Sequence, residues 1–328
     1  MSKINNDILI AGAIGDALGY LVEFKSLDEI QKIFGKNGVN IDNYLSKKLI
    51  VSDDTQMTLF CYHALIKEIK SQTYINNDDL DKLNNKIYVQ YIDWFITQGF
   101  SGVPKNNENK LLRFQELYYR RAPGMTCLSA LSSKVKGTIN NNINNSKGCG
   151  TVMRTAPISF LNTSLDNIFS LGAMQGALTH GHKEGYLSSG FFSVLLKEII
   201  NKKPIDLAFG NSINILKVQK DSKFLVKYLE KIFTIYKEGV LYKGEDLNTF
   251  IGKGNTAEEA VGVAMYSFLI GKSLKEVLDI AINHSGDSDS TAILAAQLYV
   301  AKNGLDDKYR SMIKNIDIKK VFDFLNIS

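Results

Sequence analysis

The stretch ILIAGAIGDALGYLV, residues 8–22, carries the pattern that decides the fold. Ile10, Ile14, Leu18 and Leu21 recur at three- and four-residue intervals, so their side chains share one face of a helix. We find no run of alternating strands joined by hairpin turns. Helical periodicity extends along nearly the whole chain and predicts an all-α, many-helix fold. The other clearest helical stretches are residues 164–180, 185–200, 222–239, 256–271 and 273–284, and the last of these opens with Ser273 and Glu276 as a predicted capping box.

The composition is that of a globular protein with a sizeable core. Of the 328 residues, 45% are hydrophobic and 22% are charged, and no apolar run reaches the length of a membrane span. The cysteines, Cys61, Cys127 and Cys149, are few and widely spaced, which argues against a disulfide framework or a cysteine zinc site. We therefore expect a single domain over residues 1–328, in the cytoplasm and without a membrane partner.

The net charge of +5 is spread along the chain without a nucleic-acid-binding motif. It is consistent with a solvated basic surface or with an anionic small-molecule ligand. Two Asn-rich stretches, residues 75–86 and 137–150, are expected to be loops. Residues 201–243 are expected to form a peripheral insertion of helices and turns.

Glycine and acidic residues cluster on the first helix. Offsets of three, four and seven predict that Gly12, Gly15, Asp16, Gly19 and Glu23 share one side of it. Two interpretations follow. The bare face could allow a close helix crossing, with Asp16 capping a neighbouring helix, or it could admit a ligand between Asp16 and Glu23. A phosphate loop is excluded, because no strand precedes the glycines and no G-K-[ST] follows.

Two further acidic stretches precede apolar helices. In VSDDTQMTLF, residues 51–60, Asp53 and Gln56 could form a capping box, which would explain Asp53 but not Asp54. In HSGDSDST, residues 284–291, the two acids and three hydroxyls at the end exceed what a helix cap needs. An all-oxygen set of this kind suits Mg²⁺ or Mn²⁺ better than Zn²⁺. Whether the two stretches meet cannot be obtained from their spacing.

A fourth cluster combines glycines with later histidines. Gly148 and Gly150, in SKGCGTVMRTAPI, frame a tight turn whose backbone N–H groups could bind an anion. His180 and His182 are predicted to end a helix, where a packing or dipole role competes with ligand binding.

Taken in order, these motifs resemble the ADP-ribosylglycohydrolases. The ordered set is GDALG, SDDTQMT, RAPG, GCGTVMR, TH and GDSDST, and it runs from about residue 8 to about residue 302. The arginine-specific branch is the most similar, because SDDT, RAPG, GCG and GDSDST all match it. The resemblance implies an all-α orthogonal bundle with a binuclear metal cleft.

The resemblance also implies a role for each matching residue. Glu23 would lie beside the metals and the scissile ribose, and either Glu23 or Asp54 would be the catalytic base. The substrate-binding residues would be Gly148, Cys149, Gly150 and Thr151 at the diphosphate, His180, and Asn255 in the loop beside the adenosine or distal ribose. Cys149 stands where many relatives have Asn, and Asn255 where many bacterial members have Trp. The ligands of two Mg²⁺, or Mn²⁺, would be Ser52, Asp53, Asp54, Asp287, Asp289 and Ser290.

The implied activity is hydrolysis of the N-glycosidic bond between ADP-ribose and a protein arginine. A hydrolase of another linkage (ADP-ribosyl-serine, poly(ADP-ribose) or O-acetyl-ADP-ribose) is the first alternative. A non-catalytic ADP-ribose-binding or structural member is the second, although such a protein would be expected to lose its metal ligands. We expect a monomer acting on an ADP-ribosylated protein, without nucleic acid. Protection against an ADP-ribosylating toxin is an open biological role.

Overall fold

The predicted helices are present and enclose one continuous hydrophobic core. The computed structural model describes residues 2–103, 106 and 108–328. Within those residues the chain forms fifteen α-helices and no β-strand, which confirms the all-α prediction. The helices are α1 (Lys3–Gly19), α2 (Leu27–Phe34), α3 (Asp53–Ser71), α4 (Leu80–Thr97), α5 (Met125–Ser132), α6 (Leu165–Ala177), α7 (Lys183–Ile200), α8 (Ile205–Lys217), α9 (Lys223–Lys237), α10 (Glu245–Phe250), α11 (Ala257–Ile270), α12 (Leu274–Ile282), α13 (Ser288–Asn303), α14 (Asp307–Arg310) and α15 (Lys319–Leu325).

The glycine face of α1 packs against α13. A Cβ atom on Gly15 would lie 2.5 Å from the carbonyl oxygen of Ala292, and one on Gly12 would lie 2.7 Å from Nε2 of Gln297. Atoms cannot approach so closely, so glycine is required for the two backbones to touch. The glycines of the first motif therefore serve a helix crossing, and the ligand interpretation of this face is wrong.

Asp16 caps the neighbouring helix α3. Its carboxylate accepts the backbone N–H groups of Ser52 at 3.0 Å and Thr55 at 3.1 Å, and it also accepts the Thr55 hydroxyl. Burial raises the pKa of Asp16 to about 6 despite these hydrogen bonds. The capping interpretation of Asp16 is confirmed, and its effect is to tie the start of α3 to the last turn of α1.

Glu23 does not share a helix face with these residues. The helix ends at Gly19, and Val22 turns back to donate its N–H to the carbonyl of Gly19 at 2.9 Å. Phe24 then adopts a left-handed backbone with φ of 57° and donates its N–H to Gly286 at 2.9 Å. The prediction for Glu23 is wrong because this turn, held by a distant chain segment, replaces the last turn of the helix.

The helix caps differ in detail from the predicted ones. Ser52, not Asp53, is the N-cap of α3, because the shorter Ser52 side chain accepts the N–H of Asp54 at 3.1 Å. Asp287 caps α13 through the N–H of Ser290 at 3.3 Å. Ser273 caps α12 as predicted, through the N–H of Glu276. With Ser52 as the cap, both Asp53 and Asp54 lie in the first turn of α3, where the helix dipole favours negative charge.

Two boundary predictions also need correction, and a third agrees with the structure. Residues 75–86 are not all loop, because α4 begins at Leu80 and buries Leu83 beneath the Asn-rich surface. His182 does not end a helix, because α6 ends at Ala177 and His182 is the N-cap of α7. The insertion at 201–243 holds α8 and α9, and α9 packs its apolar stripe on α11.

Among the described residues, no helix has both the length and the apolarity to cross a membrane.

Candidate active site

A cavity of about 480 Å³ opens where the N-termini of α3 and α13 approach each other. Most of the predicted site residues line it. Ser52 and Thr151 do not: the Ser52 side chain is buried as a helix cap, and the Thr151 hydroxyl donates to the carbonyl of Gly185 at 3.1 Å. The lining residues are Glu23, Phe24, Asp53, Asp54, residues 122–127, residues 148–150, Met153, His180, Asn255, Asp287, Asp289 and Ser290.

The two acidic stretches meet in this cavity. The hydroxyl of Ser290 donates to Oδ2 of Asp54 at 2.8 Å, and both side chains are buried. Asp289 is buried close enough for the charge of Asp54 to raise its pKa. The structure thus joins α3 to α13 through a direct contact between their first turns.

The segment 121–124 positions Asp53. The N–H of Asp53 donates to the carbonyl of Arg121 at 3.0 Å, and the N–H of Gly124 donates to Oδ2 of Asp53 at 3.3 Å. Arg121 is held in turn by Asp317, with Nη2 2.8 Å from Oδ2. The RAPG motif therefore binds Asp53 through backbone hydrogen bonds, and its residues 122–124 form one wall of the cavity.

The loop before α11 positions Asp287. The N–H of Asp287 donates to the carbonyl of Lys253 at 2.9 Å. Gly254 has φ of +83°, and a Cβ atom there would lie 3.1 Å from the carbonyl oxygen of Asp287. Across the cavity the thiol of Cys149 donates to Oδ2 of Asp287 at 3.0 Å. Cys149 therefore acts as a hydrogen-bond donor at the position where many relatives carry Asn.

The cavity is strongly acidic, and none of the described residues that line it is a lysine or an arginine. Burial raises the pKa of Asp53, Asp54 and Asp289 well above the usual range, and neighbouring carboxylates raise it further. Burial, followed by the charges of Asp287 and Asp16, raises the pKa of Glu23 to about 8. Buried like charges without counterions are costly, so the site favours bound cations or protonation.

The donor atoms suit a hard divalent cation. Asp53, Asp54, Asp287, Asp289 and Ser290 present carboxylate and hydroxyl oxygens to one space, as Mg²⁺ and Mn²⁺ require. Within residues 2–103, 106 and 108–328, no three His, Cys, Asp or Glu side chains already stand together as a ligand set. The chemistry of the donors fits the expected metals, and the side chains would have to turn inward to bind them.

The glycine loop reaches the cavity with most of its backbone N–H groups already engaged. Gly148 donates to Oγ of Ser146 at 3.4 Å, Cys149 to the carbonyl of Asn255 at 3.3 Å, and Thr151 to the carbonyl of Gly148 at 3.4 Å. Residues Cys149–Thr151 form a short 3-10 helix without left-handed residues. A row of free N–H groups is therefore not formed, although these hydrogen bonds are long.

His180 lies between this loop and a buried arginine that sequence reasoning missed. A Cβ atom on Gly148 would lie 3.2 Å from Nε2 of His180, and the side chain is 2% exposed. Behind it Arg154 is fully buried and connects to His180 through Thr179. The only sequence signal was a single cation within the otherwise uncharged segment TVMRTAPI.

Comparisons with known proteins agree with the observed fold. A family model described as ADP-ribosylglycohydrolase matches residues 7–317. An uncharacterized protein of Archaeoglobus fulgidus is 24% identical over 314 residues, covering 92% of this chain and 87% of that protein. A solved chain described as an ADP-ribosylglycohydrolase-related protein complex matches with a TM-score of 0.64 and 17% identity, covering 99% of this chain and 96% of that one, which shows a shared fold.

The family match covers nearly the whole chain and includes every motif that forms the cavity. It supports a general hydrolase activity toward ADP-ribose linkages. The chain belongs to the ADP-ribosylglycohydrolase family.

Proposed function

We propose that this protein removes ADP-ribose from modified protein side chains by hydrolysing the N-glycosidic bond to arginine. The observation that carries the proposal is the meeting of Asp54 and Ser290 in an acidic cavity beside Glu23, Asp287 and Asp289. A cavity lined by carboxylates and adjoining a glycine loop can accept a ribose at one end and a diphosphate at the other. The protein would act as a monomer on an ADP-ribosylated protein.

Two Mg²⁺ or Mn²⁺ ions would be held by Asp53, Asp54, Asp287, Asp289 and Ser290. Ser52 could contribute only the lone pair of its hydroxyl that remains after capping Asp54. When bound, such ions neutralise clustered carboxylates, polarise ribose hydroxyls and lower the pKa of water.

Glu23 is the better placed of the two candidate bases. Its carboxylate lines the cavity, is half-buried, and has no hydrogen-bond partner among the described residues, whereas Asp54 already accepts the Ser290 hydroxyl. A pKa near 8 lets Glu23 exchange its proton close to neutral pH, where a general acid–base group works best.

In the proposed reaction, Glu23 takes the proton of the water that attacks C1″ of the ribose. The bond from C1″ to the guanidinium nitrogen breaks through an oxocarbenium-like transition state. The leaving nitrogen keeps the bonding electron pair and recovers a proton from Glu23. Atoms and charges therefore balance without another reactant, and Glu23 returns to its starting state.

The rest of the wall would bind the ADP portion and keep water in place. Gly148, Cys149, Gly150 and His180 line the cavity together with Asn255, and Cys149 contacts both Asn255 and the Asp287 carboxylate. Binding this remote portion would orient C1″ against the water. At the mouth, Phe24 is 65% exposed and Met125 is 75% exposed, so an apolar rim surrounds an acidic interior. Such a rim suits a cationic guanidinium better than a neutral serine oxygen.

The test is release of ADP-ribose from a panel of substrates linked through arginine, serine, poly(ADP-ribose) and O-acetyl-ADP-ribose. We expect release from arginine with Mg²⁺, loss of release with EDTA, and a loss of at least a hundredfold in Asp287→Asn and Glu23→Gln. Asp246→Asn, an exposed acid on α10, is the matched control and should retain full activity.

Release from serine or poly(ADP-ribose) with none from arginine would overturn the linkage. Full activity in EDTA, or in Asp287→Asn, would overturn the metal arrangement. No release from any substrate, together with tight ADP-ribose binding, would identify a non-catalytic member instead.

A further inference from the structure

A buried cation that the proposed reaction does not use, Arg154, lies behind His180 and outside the cavity lining. Arg154 is 0% exposed, and its five N–H groups meet neutral acceptors only. Nε donates to Oε1 of Gln175, Nη1 to the sulfurs of Cys127 and Met57, and Nη2 to Oγ1 of Thr179 and the carbonyl of Gln175. A buried guanidinium without a carboxylate partner is costly, so its retention calls for an explanation.

The strongest of these contacts leads to His180. Nη2 of Arg154 lies 2.7 Å from Oγ1 of Thr179, and the same oxygen lies 2.8 Å from Nδ1 of His180. Arginine can only donate, so Thr179 accepts from it and keeps its own proton to donate onward. The onward acceptor is either Nδ1 of His180 or the nearby sulfur of Cys127, and a thiol sulfur is much the weaker acceptor.

Electrostatics select the same arrangement. A lone pair on Nδ1 points toward the guanidinium and is attracted to it, whereas a proton on Nδ1 would be repelled. Burial, followed by the charge of Arg154, lowers the pKa of His180 to about 3, so the ring stays neutral at physiological pH. A neutral ring whose Nδ1 accepts must carry its proton on Nε2.

We propose that Arg154 and Thr179 are positioning residues that hold His180 in the neutral tautomer protonated at Nε2. Nε2 then offers a hydrogen bond to a phosphate oxygen of a nucleoside diphosphate lying against Gly148 and Gly150. Nε2 faces that loop and has no hydrogen-bond partner among the described residues. The identity of the ligand rests on the proposed function, whereas the tautomer does not.

The opposite tautomer would change the ligand that the wall accepts. With the proton on Nδ1, Nε2 would present a lone pair to the phosphate oxygen and repel it. The chain of hydrogen bonds from Arg154 through Thr179 to His180, here called the relay, thus fixes Nε2–H as a donor at the cavity surface. It does so without placing a mobile cation beside the acidic half of the site.

The tautomer can be measured directly in the intact protein. Long-range ¹⁵N–¹H correlation on protein labelled at histidine distinguishes a protonated from an unprotonated ring nitrogen, and His180→Gln assigns the signal. We expect Nε2–H and unprotonated Nδ1 in the wild type and in Thr179→Ser, which keeps the hydroxyl. In Thr179→Val the Nδ1 signal should shift toward that of an unprotonated ring nitrogen without a hydrogen bond, because the hydroxyl donor is gone while the charge of Arg154 remains. The chain has only four histidines: His63, His180, His182 and His284.

Binding of ADP-ribose supplies the second readout. Thr179→Val should weaken binding about tenfold or more, and Thr179→Ser should restore it to near the wild-type value. A proton on Nδ1 in the wild type would overturn the proposal, as would an unchanged Nδ1 signal in folded Thr179→Val. If the wild type shows the expected tautomer but binds no ADP-ribose, the relay is supported and the proposed ligand, with the proposed function, is overturned.

Discussion

Replacing Glu23 by Gln should stabilise the cation-free protein, and more so as the pH rises. Burial and the charges of Asp287 and Asp16 raise the pKa of Glu23 from 4.5 to about 8. The folded protein therefore holds a proton between these two values that the unfolded chain has released. The contribution of protonated Glu23 to the free energy of unfolding is therefore fully present below pH 4.5. It decreases as the pH rises above that value and is lost once the pH has passed about 8. The Glu23→Gln variant would have no such dependence, because an amide does not titrate in this range.

The size of the effect follows from the same pKa. Between pH 6 and pH 8 the folded wild type keeps the proton on Glu23 while the unfolded chain has released it, so its free energy of unfolding falls by roughly 3 kcal/mol over this interval. The carboxylate is partly exposed at the cavity, and solvent screening reduces the expected cost to about 1–2 kcal/mol. The free energy of unfolding of Glu23→Gln relative to wild type should rise by that amount from pH 6 to pH 9.

Urea unfolding in EDTA measures this difference. Trp94 is the only tryptophan and is fully buried, so its fluorescence reports the loss of the core. Titrating groups away from the cavity are present in both proteins, so their contributions cancel in the comparison. With millimolar Mg²⁺ the difference should shrink, because a bound cation offsets the charge of Asp287. A difference that does not change with pH in EDTA, or that favours the wild type at pH 9, would refute the reasoning.

Three further predictions concern the crossing of α1 and α13, an open glycine position in α8, and the cavity. Gly15→Ala should destabilise by roughly 2–3 kcal/mol in urea unfolding, because its Cβ would meet a backbone oxygen of α13; an unchanged midpoint would show that the helices can separate freely. Gly210→Ala, in α8 with open space around it, should instead stabilise by about 0.5–1 kcal/mol, and destabilisation would contradict the helical geometry there. Ser290→Ala should lower ADP-ribose release at least tenfold by freeing Asp54, whereas Ser311→Ala at the surface should not; equal activities would remove the Ser290–Asp54 contact from the site.

Local patterns were enough to predict the helices and the position of several caps. The spacing of Ile10, Ile14 and Leu18 reflects a side-chain period that belongs to the helix itself, and capping by Ser273 involves residues three apart. The glycines on α1 also indicated a close crossing, because the absence of side chains is visible in the sequence. Most residues of the candidate site could be identified for a related reason: their motifs are short and keep a fixed order.

Only the tertiary structure decided which of these residues meet. The contact between Asp54 and Ser290 depends on how α3 and α13 approach, and no periodicity in either helix encodes that approach. Glu23 left the predicted helix because Gly286, far along the chain, binds the backbone of Phe24. Arg154 resembled an ordinary surface cation in the sequence, and its burial behind His180 appears only when several helices close around it. Burial and long-range charge depend on the whole fold, so the sequence alone indicated candidate site residues and the fold determined the surroundings that set their chemistry.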